Sequence, residues 1–234
     1  MAIEFGLLIL AAYLLGSVPA AYIAAKLSRG IDIRRFSDGN VGASNLLRIT
    51  SKQVAIPVII FDLGKGIVMV WAAQLVGLGV AQQVTVGLAT IIGHNWPVFL
   101  RFSGGKGLLT TLGLALILPL INNLVPWGIV AFLAIMAIAL LALHTTPLGM
   151  LAGIAALPLV SWGFGEPFPL TLGFLAMFLI MVLRRLTAPQ TSFSASETPG
   201  QLLVNRLLFD RDIRDGKAWI KRNLPEQQEK RREG

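Results

Sequence analysis

GHNWPVFLRFSGGKGLLTTLG, residues 93–113, joins the end of one apolar run to the inside of the next. Between the runs lie His94, a break at Pro97, Arg101 and the turn Ser103-Gly104-Gly105-Lys106-Gly107. Three glycines around a lysine leave room for backbone N–H groups to face an oxyanion, and the lysine adds a point charge. The helix expected after the turn points its positive N-terminal end at the same place. A phosphate held at a membrane face is the reading this stretch suggests.

Composition agrees with the apolar runs. Hydrophobic residues make up 55% of 234 and charged residues 14%, which excludes an ordinary soluble domain and predicts a polytopic helical membrane protein. With no cysteine, neither disulfides nor thiolate-held metal can contribute, and two histidines, His94 and His144, make a zinc site improbable. No cofactor or metal is called for. The net charge of +8 suggests nucleic acid only until its placement is considered. The opening MAIEFGLLIL lacks a basic leader and reads as a retained first span.

Turn signals divide the chain into seven apolar runs, roughly 4–27, 54–79, 81–100, 107–121, 124–143, 148–164 and 168–186. The expected fold is therefore all-α, with seven transmembrane helices. Arg29, Arg34, Arg35, Arg48 and Lys52 follow the first run, Arg101 and Lys106 follow the third, and eleven more basic residues lie from Arg184 onward. The connections near 80, 122 and 165 hold none. By the positive-inside rule the basic segments and the C-terminus are cytoplasmic and the N-terminus is outside. This charge belongs to a membrane surface, so no nucleic-acid partner is expected. Residues 1–186 read as the membrane domain and 187–200 as a polar linker. Residues 201–224 read as an amphipathic cytoplasmic helix on anionic lipid, and 225–234 as a disordered tail.

The loop Asp32–Arg48, DIRRFSDGNVGASNLLR, is long and crowded with Asn40, Ser44, Asn45 and Arg48. It is either a solvated connection or a segment folded back to offer donors to a ligand. Asp62 and Lys65 are three residues apart in the second run, on one helical face and about 12–17 Å deep at ~1.5 Å per residue. They are either a structural pair inside the bundle or part of a site. His94 is an interfacial histidine or a catalytic one, and its nearness to the glycine turn favours the second. The turn lacks the spacing of a Walker A loop and follows a helix, so its anion site depends on Arg48, Asn40 and Asn45 sharing its membrane face.

The ordered set GSVPAAYIAAKL (16–27), GNVGASNLLR (39–48), FDLGKG (61–66) and GHNWPVFLRFSGGKG (93–107) resembles the bacterial acyl-phosphate:glycerol-3-phosphate acyltransferases. The resemblance covers the first half of the chain. It implies seven membrane helices and an active site on the cytoplasmic face of the bacterial inner membrane. The implied reaction is the first acylation of phospholipid synthesis, in which acyl phosphate and glycerol 3-phosphate give lysophosphatidate and phosphate. An acyl phosphate already carries a good leaving group, so the protein need only neutralise phosphates, place a hydroxyl and stabilise an oxyanion. Lys106, with the amides of Gly104, Gly105 and Gly107 and beside Ser103, would hold one phosphate. Arg48, with Asn40 and Asn45, would hold the second or help orient the first. His94 would be a positioning donor or a general base, with a substrate phosphate as the alternative proton acceptor. Membrane lipids would surround the acyl chain; oligomeric state stays open.

The sequence departs from the family pattern in three places. Asp38 stands where the family has a serine, with Ser37 next to it as a substitute. Of the family's C-terminal motif, only Asn205-Arg206-Leu207-Leu208 and Asp212 can be matched, its histidine falling on Gly200 and its asparagine on Leu203. A serine expected between the fifth and sixth runs is Pro147. A divergent relative with another acceptor, or a lipid binder without turnover, is the nearest rival reading. A small lipid or anion transporter is a rival from another class.

Overall fold

The computed structural model describes residues 2–188 and 192–221. It is all-helical, with no strand among the described residues. The helices are α1 (Ala2–Gly16), α2 (Ala20–Arg29), α3 (Ala43–Ile49), α4 (Lys52–Leu75), α5 (Val80–Asn95) and α6 (Leu108–Ile121). They continue with α7 (Trp127–Leu141), α8 (Thr146–Gly163), α9 (Phe168–Leu186), α10 (Pro199–Phe209) and α11 (Gly216–Lys221). Among the described residues, four segments are long and apolar enough to cross a membrane: Ala2–Arg29, Lys52–Leu75, Thr146–Gly163 and Phe168–Leu186. Leu108–Ile121 and Trp127–Leu141 are shorter apolar helices.

Three expectations change. The first run is not one continuous helix; it breaks between α1 and α2 because Pro19 has no N–H to continue the ladder. The third ends at Asn95, where the proline after Trp96 keeps that residue out of the helical conformation, and Val98–Leu100 forms a separate turn. The tail helix expected over 201–224 is two helices, parted where Asp210 takes a left-handed conformation, φ 58°. The end of that segment and the tail 225–234 lie outside the described residues.

Close backbone approach builds the bundle. A Cβ on Gly16 would collide with the Thr90 carbonyl, and one on Gly93 with the Tyr13 carbonyl, so α1 and α5 meet through glycine. The main core joins Leu114 and Leu118 of α6, Ile154 and Leu157 of α8, and Phe174 and Met177 of α9, all buried. Apolar side chains also point outward, Leu7 and Leu133 among them, as a helix in lipid requires. A second cluster packs Ile33, Val41, Leu46 and Ile49 against Ala21, Ala25 and Val58. The loop after α2 is thus folded back onto the bundle. It forms one wall of the site.

Candidate active site

Asn45 organises that loop. Its side-chain amide reaches the carbonyl oxygens of Ile33 (3.3 Å), Phe36 (3.1 Å) and Asn40 (3.0 Å), and the residue is fully buried. It ties the loop together and does not present its amide to a ligand, which revises its expected place beside a phosphate. Asp32 caps the turn Ile33–Arg35 and grips the Arg34 guanidinium, whose hydrogen bonds hold the carboxyl below the usual carboxylate range. Gly39, at φ 73°, turns the chain so that Asp38 and Asn40 face inward. One Asp38 oxygen accepts from the Asn40 amide at 3.0 Å and the other from Arg48 Nη1 at 2.9 Å. Ser37 lies buried behind them and is not on the cavity wall.

The glycine turn is held from beneath. Arg184, buried at the end of α9, donates to the carbonyls of Gly104 and Gly105, both at 2.9 Å. The Gly105 N–H donates to the His94 carbonyl at 3.1 Å, so this amide is already used. Side chains on Gly104 or Gly105 would strike the His94 carbonyl or ring. Close packing explains these two glycines better than phosphate contact does. The Ser103 N–H closes the turn onto Leu100 at 3.2 Å. Lys106 and Gly107 do reach the cavity.

That cavity, about 440 Å³, is lined by Asp38, Asn40, Arg48, Asp62, His94, Lys106, Arg185 and Asp210. Leu47, Ile59, Leu108, Leu109, Met150 and Met181 line it as well. Asp210 arrives from the C-terminal segment and accepts from Lys106 Nζ at 2.7 Å, with Arg185 Nε at 3.8 Å. Three cations, Arg48, Lys106 and Arg185, and two carboxylates, Asp38 and Asp210, thus share one mouth. A phosphate carries more charge than a carboxylate and offers more oxygens, so it can displace either carboxylate from its cation.

Beneath this mouth is a buried cluster. Lys65 Nζ lies 2.9 Å from Asp62 Oδ1, 2.7 Å from His94 Nδ1 and 3.1 Å from the Gly16 carbonyl. Thr110 Oγ1 donates to the Asp62 carbonyl at 2.9 Å.

Sequence reasoning did not place Arg184, Arg185 or Asp210 at the site. The two arginines were visible only as charge at the end of an apolar run. Asn205 and Arg206, expected to bind substrate, instead hold the C-terminal segment: Asn205 donates to the Asp212 carbonyl at 3.0 Å and Arg206 pairs with the Asp212 carboxylate at 2.8 Å. Gly200 and Leu203 are exposed, away from the cavity. Pro147 lines the cavity, and its carbonyl accepts from Arg185 at 3.0 Å.

Residues 6–190 match the family model described as glycerol-3-phosphate acyltransferase. Glycerol-3-phosphate acyltransferase 5 of Dehalococcoides mccartyi (strain ATCC BAA-2266 / KCTC 15142 / 195) is 42% identical over 229 residues, 95% of each chain. The glycerol-3-phosphate acyltransferase of Azotobacter vinelandii is 41% identical over 158 residues, 67% of this chain and 80% of its own. The crystal structure of PlsY (YgiH), an integral membrane glycerol 3-phosphate acyltransferase in its glycerol 3-phosphate form, superposes with a TM-score of 0.72 at 26% identity. The match covers 92% of this chain and 96% of that one. Its lysophosphatidic acid form gives a TM-score of 0.69. By sequence and by fold, this multi-pass membrane chain belongs to the glycerol-3-phosphate acyltransferase family.

Proposed function

We propose that this protein transfers an acyl group from acyl phosphate to the 1-hydroxyl of glycerol 3-phosphate, releasing lysophosphatidate and inorganic phosphate. The acyl carbon gains a bond to the acceptor oxygen and loses its bond to the phosphate oxygen. The hydroxyl proton leaves with the departing phosphate. The observation that carries the reading is the cavity itself, whose lining combines Arg48, Lys106 and Arg185 with leucines and methionines. The cations suit two phosphates and the apolar side chains suit an acyl chain. No side-chain nucleophile is required, because the mixed anhydride is already activated. Lys106 and Arg48 neutralise phosphate, and Asn40 and the Gly107 backbone border the same space. The chain crosses the bacterial inner membrane seven times, N-terminus outside, so that this mouth opens to the cytoplasm, an orientation supported by the basic residues on one set of connections.

Asp38 favours one variation on this reading, an acceptor other than glycerol 3-phosphate. A carboxylate on Arg48 in the cavity wall would discriminate among polyol phosphates by accepting from a hydroxyl.

Purified protein supplied with palmitoyl phosphate and glycerol 3-phosphate should release phosphate and form lysophosphatidate, and palmitoyl-CoA in its place should give neither. Turnover with the thioester alone would reject the donor. Turnover only with a different polyol phosphate would establish the variation.

A further inference from the structure

We infer that Lys65 and Asp62 are positioning residues that lock His94 as a neutral imidazole with its proton on Nε2, making it a fixed hydrogen-bond donor to the reacting substrate and not a base. The inference rests on the acyl-transfer reading for the word substrate; the assignment of the proton does not.

An ammonium group has three protons and accepts nothing. Lys65 Nζ has three acceptors within reach: Asp62 Oδ1 at 2.9 Å, the Gly16 carbonyl at 3.1 Å and His94 Nδ1 at 2.7 Å. Each proton therefore has one destination. The carboxylate and the negative C-terminal end of α1, whose last carbonyl is that of Gly16, both favour the charged lysine. With the third proton aimed at Nδ1, that nitrogen must offer a lone pair. A proton there would oppose the lysine proton across 2.7 Å and would have only Asp62 Oδ1, at 3.5 Å, to receive it. Nε2 then carries the hydrogen. Neutral lysine accepting from Nδ1–H is a second alternative, and it would leave the Asp62 carboxylate without its counter-ion in a buried site.

The other edge of the ring lies against the glycine turn. A Cβ on Gly105 would fall on His94 Nε2, so the absence of a side chain there is what admits the ring. His94 and Asp62 both line the cavity that also holds Lys106. A donor held this way needs no reorganisation as charge develops on a substrate oxygen, which is where hydrogen bonds are worth most in catalysis. The break after Gly16 thereby acquires a purpose, since it frees the carbonyl that takes the first lysine proton.

The experiment uses full-length protein with ¹⁵N-labelled histidine. The exposed His144 is replaced by Asn, a residue that tolerates its left-handed backbone, leaving one histidine to observe. The expected spectrum shows a bare Nδ1 and a protonated Nε2. A protonated Nδ1, or an even mixture, overturns the inference, and this holds for protein without any acyl-transfer activity. The double variant Lys65→Met/Asp62→Leu removes the pair without stranding a charge and should release the tautomer preference; an unchanged spectrum would show that something else sets it. Kinetics tests the donor role. His94→Phe should lower kcat about 10²-fold with little change in KM. His94→Gln, which keeps an N–H near the place of Nε2, should stay within about tenfold of wild type. Equal losses in the two variants would reject the donor. Absence of acyl transfer in the wild type would reject the proposed function and leave the tautomer assignment standing on its spectrum.

Discussion

Asp210 Oδ2 lies 2.7 Å from Lys106 Nζ, although 104 residues separate them in the chain. Asp210 closes α10 in a left-handed conformation, and that turn swings its carboxylate into the mouth of the cavity. The carboxylate sits where a substrate phosphate would meet Lys106, with Arg185 on its other side. The C-terminal segment thus competes for the cation that the glycine turn presents.

Asp210→Asn removes the competing charge and keeps a residue that tolerates positive φ. The pair is partly exposed, so its release should lower KM for the phosphate-bearing acceptor by only about two- to fivefold. Steady-state kinetics at fixed donor reads this directly. A rise in KM would make Asp210 part of the binding site instead.

Asp38→Ser frees Arg48 from its 2.9 Å partner. The KM for glycerol 3-phosphate should fall by about two- to fivefold, for the same reason. If turnover with glycerol 3-phosphate collapses, Asp38 is holding the acceptor and its role is the opposite of restraint.

Lys106→Met takes away the cation and preserves most of the side-chain volume. Turnover should drop about 10²–10³-fold, the scale on which one transition-state donor matters. Lys106→Arg keeps charge but spreads it, and an intermediate loss is expected. Full activity in the methionine variant would remove Lys106 from the chemistry.

Arg184→Met leaves the carbonyls of Gly104 and Gly105 without their buried partner. Hydrogen bonds of this kind contribute about 1.5–3 kcal/mol each, so the turn should lose its fixed shape and the protein should melt earlier. The kcat/KM should fall about tenfold or more even though Lys106 is untouched. Arg184→Lys can reach only one of the two carbonyls and should recover part of the loss.

Gly93→Ala pushes a methyl group into the Tyr13 carbonyl where α1 crosses α5. Overpacking of this sort costs about 1–3 kcal/mol, and a lower melting temperature in detergent should report it. An unchanged melting temperature would mean that the crossing is looser than described.

Much of this was legible in the chain because it depends on local chemistry. Long apolar runs in a chain with few charges had to be helices with satisfied backbones in lipid. The crowd of amides and hydroxyls in residues 32–48 marked a loop able to fold back, without deciding that it does, and the lysine among glycines marked where an anion could sit. The i,i+3 spacing of Asp62 and Lys65 placed both on one face of α4. The partners across the fold were not readable. Nothing local tells that Arg184 will hold the glycine turn, that Asn45 will spend its amide on its own loop, or that Asp210 will reach Lys106. Such contacts depend on how α5, α9 and the C-terminal segment meet in three dimensions, and residues remote in sequence carry no mark of that meeting. The same limit applies to His94: its place beside the turn was visible, but the nitrogen that bears its proton is decided by Lys65 and by a carbonyl freed where the first helix breaks. The chain by itself determined which residues carry charge and which runs are apolar enough to enter a membrane. Only packing decided which charges meet, because an ion pair or a hydrogen bond acts over about 3 Å and the sequence records no such distance.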